Sequence, residues 1–236
     1  MKAAVLYEEF QPLVVEDLDL EKPRAGEVLV KLAASGVCHS DLHCIKGDRK
    51  HPLPVVLGHE GAGIVEQVGP NVTYAKPGDH VVLSFVPACG RCSYCVNGRH
   101  NLCEVRYGMR GSLPDGTRRL RKGDQEIHHF IGLSTFGEWA VVPEDSLVLV
   151  REDAPLDKVA LIGCGVATGV GAAIHTAEAS RPQTTDGGMT IGECSSCGHT
   201  SSEAADFCEG CGESLLVPCY SCQVEMKPWA TFCGAC

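Results

Sequence analysis

No apolar run in this 236-residue chain approaches the roughly 18 residues needed to cross a bilayer, so no helical membrane span is expected. Basic residues are also in the minority. The 20 lysines and arginines face 30 aspartates and glutamates, a formal net charge of -10. That field repels a phosphate backbone, and nucleic acid is not expected as a partner. An export leader is not expected either, because MKAAVLYEEFQPLVVEDLDL puts acidic residues where a leader needs an uninterrupted apolar stretch. The length exceeds the usual 100 to 200 residues of one domain, which predicts at least two units in a globular chain.

Cysteine, in contrast, is abundant. In a small exported chain, 15 cysteines would mean disulfides, but here fourteen fall into metal-ligand spacings and no export leader is expected. A reducing cytoplasm is the expected compartment. Cys44 is left over and reads as a small buried or half-buried thiol.

Short β-branched runs punctuated by Gly, Pro and Asp occupy the first 150 residues: Ala3 to Leu6, Val28 to Leu32, Gly63 to Val68, His80 to Phe85, Trp139 to Val142 and Leu147 to Val150. They predict a mainly β, antiparallel, barrel-like fold with some α. Lys76-Pro77-Gly78-Asp79 is turn text, with Pro presetting φ and Gly accepting a positive φ. Over residues 157–179 the composition shifts to Ala and Gly with apolar residues at helical spacing from Val166, which predicts a helix starting just after Cys164. Residues 180–193 are polar and aperiodic, the text of a flexible linker.

A repeat with a period of 25 follows: Cys194-x2-Cys197-x10-Cys208-x2-Cys211, then Cys219-x2-Cys222-x10-Cys233-x2-Cys236. Phe-Cys recurs at 207–208 and 232–233, the mark of a duplicated unit. Nearer the N-terminus, Cys89-x2-Cys92-x2-Cys95-x7-Cys103 offers four thiolates within fifteen residues and no open position, the pattern of a closed structural zinc site. Redox activity is the alternative. Each four-thiolate zinc site would add roughly two negative charges to the chain.

The most telling short motif is Gly58-His59-Glu60-x2-Gly63-x5-Gly69-x2-Val72, with Cys38-His39-Ser40-Asp41 upstream and Gly163-Cys164-Gly165 downstream. Together these resemble the medium-chain zinc alcohol dehydrogenases over residues 1–173, most closely their formaldehyde-metabolising, class III-like branch. The resemblance implies a GroES-like barrel catalytic domain with the four-cysteine segment 89–103 as an inserted zinc lobe. It also supplies a ligand set for a catalytic zinc, Cys38, His59 and Cys164, with a fourth position left open for an alcohol whose oxygen the metal would polarise. Ser40 would then take the hydroxyl proton and His43 would relay it, against the plainer reading of His43 as a surface histidine. Asp41 would fix the tautomer of His59, and Glu60 would lie just outside the ligands. His39 and Thr168 would contact the cofactor, NAD. Residues 113–117 and 132–136 also follow the class III-like wording, and Arg106 stands near the place of an arginine that anchors an anionic thiol adduct in that branch, displaced by about one residue.

One family feature is missing from these residues. Gly-x-Gly-x-x-Gly after a strand, with an acidic residue about 20 positions on, would mark a dinucleotide-binding domain. Neither Gly163-Cys-Gly165-Val-Ala-Thr168 nor Gly61-Ala-Gly63 fits it, so a Rossmann domain is expected to be absent and NAD is implied by the family alone. In its place, after a helix end and linker at 174–193, stands a tail at 194–236 that resembles double zinc ribbons. Zinc would supply most of its folding free energy, roughly 10 kcal/mol or more per site. The chain stops at Cys236 without the glycine that usually follows such a ligand, which reads as a truncated or fused gene. About four zinc sites are expected in all. Two functions compete: an alcohol dehydrogenase-type oxidoreductase acting on a primary alcohol, an aldehyde or a hydroxymethyl-thiol adduct, inactive alone, or a non-catalytic zinc protein whose ribbon docks a protein partner.

Overall fold

The computed structural model describes residues 1–104, 110–176, 196–199, 210–211, 217–218 and 225–226. The chain divides into two compact units, Met1–Ala177 and Glu178–Cys236.

Two sheets build the first unit. One is five-stranded in the order β10-β4-β6-β7-β11: Trp139–Pro143, Glu27–Gly36, Glu60–Val68, His80–Leu83 and Leu147–Val150. The other is six-stranded in the order β2-β1-β5-β9-β8-β3: Val14–Asp17, Lys2–Leu6, Val55–Val56, Gln125–His129, Leu120–Lys122 and Asp19–Leu20. They form the nearly closed, barrel-like GroES fold that the strand text predicts. Five of the six predicted runs lie wholly in strands, and the sixth, His80 to Phe85, is a strand as far as Leu83. One expectation needs correction: β5 pairs with β9 in parallel, Val55 opposite His128 and Val56 opposite His129. Every other pairing among the described residues is antiparallel.

The barrel is held by alternate branched side chains. Val28 and Val30 of β4 meet Val65 of β6, Val81 and Leu83 of β7, and Val142 of β10 in one apolar cluster. Each such side chain, fully buried, stabilises the fold by about 1.5–3 kcal/mol. A buried polar clamp closes the other side. Nε and Nη2 of Arg119 donate to the two Glu27 carboxylate oxygens at 2.9 and 2.5 Å, and Nη2 also reaches Asp115 at 2.6 Å. The Arg119 amide donates to His129 Nε2 at 3.0 Å, so the clamp ties the start of β4 to the end of β9.

Among the described residues of the unit are four short α-helices: α1 His39–Ile45, α2 Ser93–Val96, α3 Leu156–Val159 and α4 Gly165–Gly171. The predicted helix start after Cys164 is observed, and a π-helical turn at Ala172–Thr176 prolongs it. No single helix among the described residues is long and apolar enough to cross a membrane. In the second unit, β12 Val217–Pro218 pairs antiparallel with β13 Glu225–Met226. Of the repeat cysteines, Cys197 and Cys211 are exposed, and Cys194, Cys208, Cys219, Cys222, Cys233 and Cys236 lie outside the described residues, as does Arg106.

Candidate metal centre

Where β4 ends, Cys38 takes an extended conformation and becomes the N-cap of α1. Asp41, in the first turn, folds its carboxylate back on the cap: Oδ2 accepts the Cys38 amide at 3.0 Å. Its other oxygen accepts the Gly58 amide at 3.0 Å and stands 3.4 Å from Nδ1 of His59. One buried carboxylate therefore fixes a helix start and a distant loop together. Gly58 has φ +88°, and a Cβ there would meet the Thr135 hydroxyl at 2.6 Å and the Phe136 amide at 2.8 Å, so only glycine carries the chain through this turn. The His59 ring is 1% exposed and packs edge-on against Phe85 and Phe130, with centroids at 5.4 and 5.6 Å. Cys164 arrives from the other side, at the end of a 3-10 turn over Ala160–Gly163.

Donor atoms of Cys38, His59, Glu60 and Cys164 all lie within 4.8 Å of one another. The two thiol sulfurs are 4.0 Å apart, close to the ~3.8 Å edge of a tetrahedron with 2.3 Å zinc–sulfur bonds. Both ring nitrogens of His59 are buried without a hydrogen-bond partner, since Nδ1 at 3.4 Å from Asp41 falls outside good hydrogen-bond geometry. Buried polar atoms are paired in folded proteins, and a cation between the sulfurs and the ring would satisfy this one. The donor set fits zinc.

Its charges point the same way. Burial raises the Cys38 thiol pKa, but the Ser40 hydrogen bond and the nearby His59 outweigh it and bring it below the usual thiol value. Burial opposes protonation of His59, yet Asp41 and Cys38 raise its pKa. Cys164 is pushed up to about 12 by burial, by the Cys38 sulfur and by Glu60. Such a cluster retains protons that a dication would displace.

Glu60 brings a carboxylate oxygen within 4.8 Å of the Cys38, His59 and Cys164 donor atoms. The strand register explains this. Glu60 pairs with Gly36 at the end of β4, and any side chain on Gly36 would overlap the Glu60 carboxylate. Ser40 Oγ is 3.2 Å from Cys38 Sγ. His39 and His43 stack on α1 with centroids 4.6 Å apart, and His43 Nδ1 meets Asp48 at 3.1 Å. Asp48 and the Phe85 and Phe130 rings escaped the sequence reading, because a lone aspartate in a loop and two isolated aromatics have no motif. Thr168 is exposed on α4, and its amide donates to the Cys164 carbonyl at 2.8 Å.

A second cluster matches the other predicted set. The sulfurs of Cys89, Cys92, Cys95 and Cys103 lie within 4.8 Å of one another. The Glu104 and Cys95 amides pull Cys92 down to about 6, while burial pushes Cys95 up to about 12. Four convergent sulfurs without an open side suit a structural ion.

The first unit is thus a barrel that carries a Cys-His-Cys centre and a tetrathiol lobe. The model of the alcohol dehydrogenase GroES-like domain matches residues 24–152, more than half of the chain, and that of the double zinc ribbon matches 194–236. The chain belongs to the alcohol dehydrogenase GroES-like domain family. It is 48% identical over 186 residues to the alcohol dehydrogenase class-3 of Dictyostelium discoideum, covering 78% of this chain and 49% of that protein. To the class-3 enzyme of Drosophila melanogaster it is 49% identical over 180 residues, covering 75% and 48%. Among solved structures it resembles an alcohol dehydrogenase zinc-binding domain protein from Burkholderia ambifaria, with a TM-score of 0.70 and 39% identity over 74% of this chain and 48% of that one. Benzyl alcohol dehydrogenase from Acinetobacter calcoaceticus follows with a TM-score of 0.68 and 38% identity, over 74% and 47%. The chain thus spans about half the length of the relatives it matches.

Proposed function

We propose that the first unit carries the zinc half of an alcohol dehydrogenase-type oxidoreductase, and that Cys38, His59 and Cys164 hold its catalytic zinc. The observation that carries this reading is the pair of thiol sulfurs 4.0 Å apart beside a buried imidazole with two unpaired nitrogens. When bound, zinc would supply Lewis acidity, polarising the oxygen of a primary alcohol, an aldehyde or a hydroxymethyl-thiol adduct.

The chain's own groups divide the remaining work. Ser40, whose hydroxyl stands beside Cys38, takes the substrate hydroxyl proton. His43 passes it towards solvent, with Asp48 holding its Nδ1 side so that the opposite nitrogen is free to accept. Asp41 keeps His59 in orientation, and Phe85 and Phe130 exclude water from the imidazole. Glu60, whose carboxylate lies within 4.8 Å of the three proposed ligand atoms, would stand beside the position an alcohol needs. The hydride acceptor, NAD by family, is approached by His39 and Thr168 but must be held by a dinucleotide-binding domain that these 236 residues do not encode. Turnover by these residues alone is therefore negligible.

The lobe at 89–103 takes a structural zinc, and the tail at 194–236 takes two more through Cys194, Cys197, Cys208 and Cys211 and through Cys219, Cys222, Cys233 and Cys236. A reducing compartment such as the cytoplasm keeps these thiols available. The second reading, a zinc-dependent interaction protein that docks a protein partner through its ribbon, is favoured by the repeat that matches the double zinc ribbon. Cobalt substitution tests the first. A primary alcohol should shift the visible bands of the cobalt protein, and bands insensitive to alcohol at saturating concentration would leave only the interaction role.

A further inference from the structure

Strand β2 is the outer edge of the six-stranded sheet, and among the described residues it pairs with β1 alone. Its ladder shows which backbone groups stay open. Met1 and Leu18 exchange two bonds at the end of that ladder, the Leu18 amide to the Met1 carbonyl at 2.8 Å and the Met1 ammonium to the Leu18 carbonyl at 2.9 Å. Bonded and non-bonded pairs alternate along an antiparallel ladder, so in the register Lys2–Asp17, Ala3–Glu16, Ala4–Val15, Val5–Val14 the bonded pairs are Ala3–Glu16 and Val5–Val14. Lys2 and Ala4 agree, because both bond away from β2: the Ala4 amide donates to the Phe136 carbonyl at 2.8 Å, and the Lys2 carbonyl accepts the Glu138 amide at 3.0 Å. Val15 and Asp17 therefore turn their N–H and C=O groups outward, where no backbone partner meets them among the described residues.

Such an edge is a template for another strand unless a proline, a bulge or a lysine blunts it. β2 is short, but Val14–Asp17 has none of the three, and its register with β1 runs without a break. Val14 and Val15 are 45% and 70% exposed. Paired residues share a face, so Val15 lies with Ala4, and both line a groove of about 400 Å³ whose walls also include Leu32, Ala34 and Phe136. The charges along this edge have one sign. Residues 8–21 hold six carboxylates, Glu8, Glu9, Glu16, Asp17, Asp19 and Glu21, and no lysine or arginine. Asp17 meets Lys2 in a pair exposed on both sides, which is worth little, and the exposed Glu8 and Asp19 have no ion-pair partner among the described residues. A second copy would bring these carboxylates against their own kind. A basic strand meets no such repulsion, so the charges that guard the edge also select what may join it.

We propose that the open edge of β2 binds an extended segment of another protein as an added antiparallel strand, and that this segment carries a basic residue two positions before an apolar one. The spacing follows from the register. Val15 and Asp17 share one face, and an antiparallel partner runs backwards past them. Its apolar residue therefore falls opposite Val15, beside the groove, and its basic residue, two positions earlier, falls opposite Asp17. The outward backbone groups supply affinity, and the two side chains choose the partner. Neither the metal centre nor an alcohol takes part.

The test titrates the full zinc-loaded chain with a capped peptide, Thr-Lys-Thr-Lys-Thr-Val-Thr, and with the counterpart in which both lysines are glutamate, by calorimetry and by amide hydrogen exchange. The lysine peptide should bind at least about tenfold more tightly, with a preference that added salt erodes, and should slow exchange at the Val15 and Asp17 amides. Val15→Pro removes an outward N–H and no bond to β1, so it should weaken the lysine peptide by about tenfold or more. Asp17→Lys leaves the backbone whole and should bring the two peptides to within about threefold of each other. No saturable binding of the lysine peptide, equal binding of the two by the parent chain, or binding that leaves the Val15 and Asp17 amides unprotected would overturn the proposal. Protection of those amides in the free chain, at a mass of two copies, would make a second copy the occupant and overturn it as well.

Discussion

Oδ1 of Asp41 stands 3.4 Å from Nδ1 of His59 while accepting the Gly58 amide, and the other oxygen of the same carboxylate accepts the Cys38 amide. Two of the proposed ligands are therefore positioned by one buried side chain. An amide in its place can accept with only one of its two heavy atoms, so Asp41→Asn leaves one backbone donor unsatisfied at a cost of about 1–3 kcal/mol. Supporting groups of this kind also change metal affinity by about 10- to 100-fold. Asp41→Asn should show both losses, read by urea denaturation and by chelator competition. Unchanged metal affinity would mean that Asp41 supports the fold alone.

Arg119 is fully buried and bonded to Glu27 and Asp115. Removing one member of such a pair strands the other charge, at about 3–5 kcal/mol, whereas removing both with well-packed apolar groups is often neutral. Arg119→Met should thus destabilise strongly, and Arg119→Met with Glu27→Leu should recover much of that loss. A double variant no better than the single one would show that the clamp acts through packing and not charge.

His129 gives the barrel a pH dependence. It is buried, and that burial, followed by the charges of Arg119, Arg118 and His128, pushes its pKa down to about 3. The unfolded chain protonates this histidine near its ordinary value of about 6.5, the folded one far lower. Protons thus favour unfolding, and stability falls as pH is lowered from about 6.5 towards about 3, by at most ~1.4 kcal/mol per pH unit for this one group. His129→Gln keeps an acceptor for the Arg119 amide without titrating, so denaturation midpoints between pH 6.5 and 4 should fall less steeply than in the parent, by roughly one bound proton. Parallel profiles for parent and variant would refute the assignment.

The two metal clusters should respond oppositely to single replacements. In the lobe, four cysteines converge in a segment that contributes only Cys95 and Cys103 to the buried residues over 89–103, so the ion itself should hold the loop. Cys92→Ser should lower the melting temperature and leave alcohol-sensitive cobalt bands in place. His59→Ala should abolish those bands and lose one zinc while most of the fold persists. If His59→Ala unfolded the barrel and Cys92→Ser did nothing, the two roles would be exchanged.

Much of this was legible in the sequence, for unequal physical reasons. Cysteine spacing is a local constraint: four thiols within fifteen residues cannot avoid one another, and they lie together. The long strands announced themselves by alternating Val and Leu. Val55–Val56 is too short to show a period, and Leu120–Lys122 with Gln125–His129 form a hairpin of Arg, Lys, Gln, Glu and His that reads as loop. The parallel pairing of β5 with β9 depends on where two remote segments settle, which no local pattern encodes. Glu60 is the instructive case. The motif names the residue, but the room for its carboxylate depends on the absent side chain of Gly36, one strand away and 24 positions earlier.

The cofactor decides whether the zinc half can turn over alone, and the expected outcome is that it binds NADH no better than millimolar. Tight dinucleotide binding needs backbone amides at a glycine turn, a helix N-terminus behind the pyrophosphate and an acidic residue on the ribose. The sequence supplies no such fingerprint: Gly163-Cys-Gly165-Val-Ala-Thr168 lacks its third glycine and is already committed to the metal centre. His39 and Thr168 are both exposed, and two side chains would have to offset several kcal/mol of lost translational and rotational freedom. They suit a cofactor brought in by another domain better than one captured from solution. Titration of NADH against the zinc-loaded chain by fluorescence should therefore give no saturable signal below millimolar concentration. Adding alcohol and NAD should give no measurable reduction until a dinucleotide-binding partner is supplied. A micromolar dissociation constant for the chain alone would mean that its residues build a nucleotide site by some other geometry, and turnover in isolation would then follow.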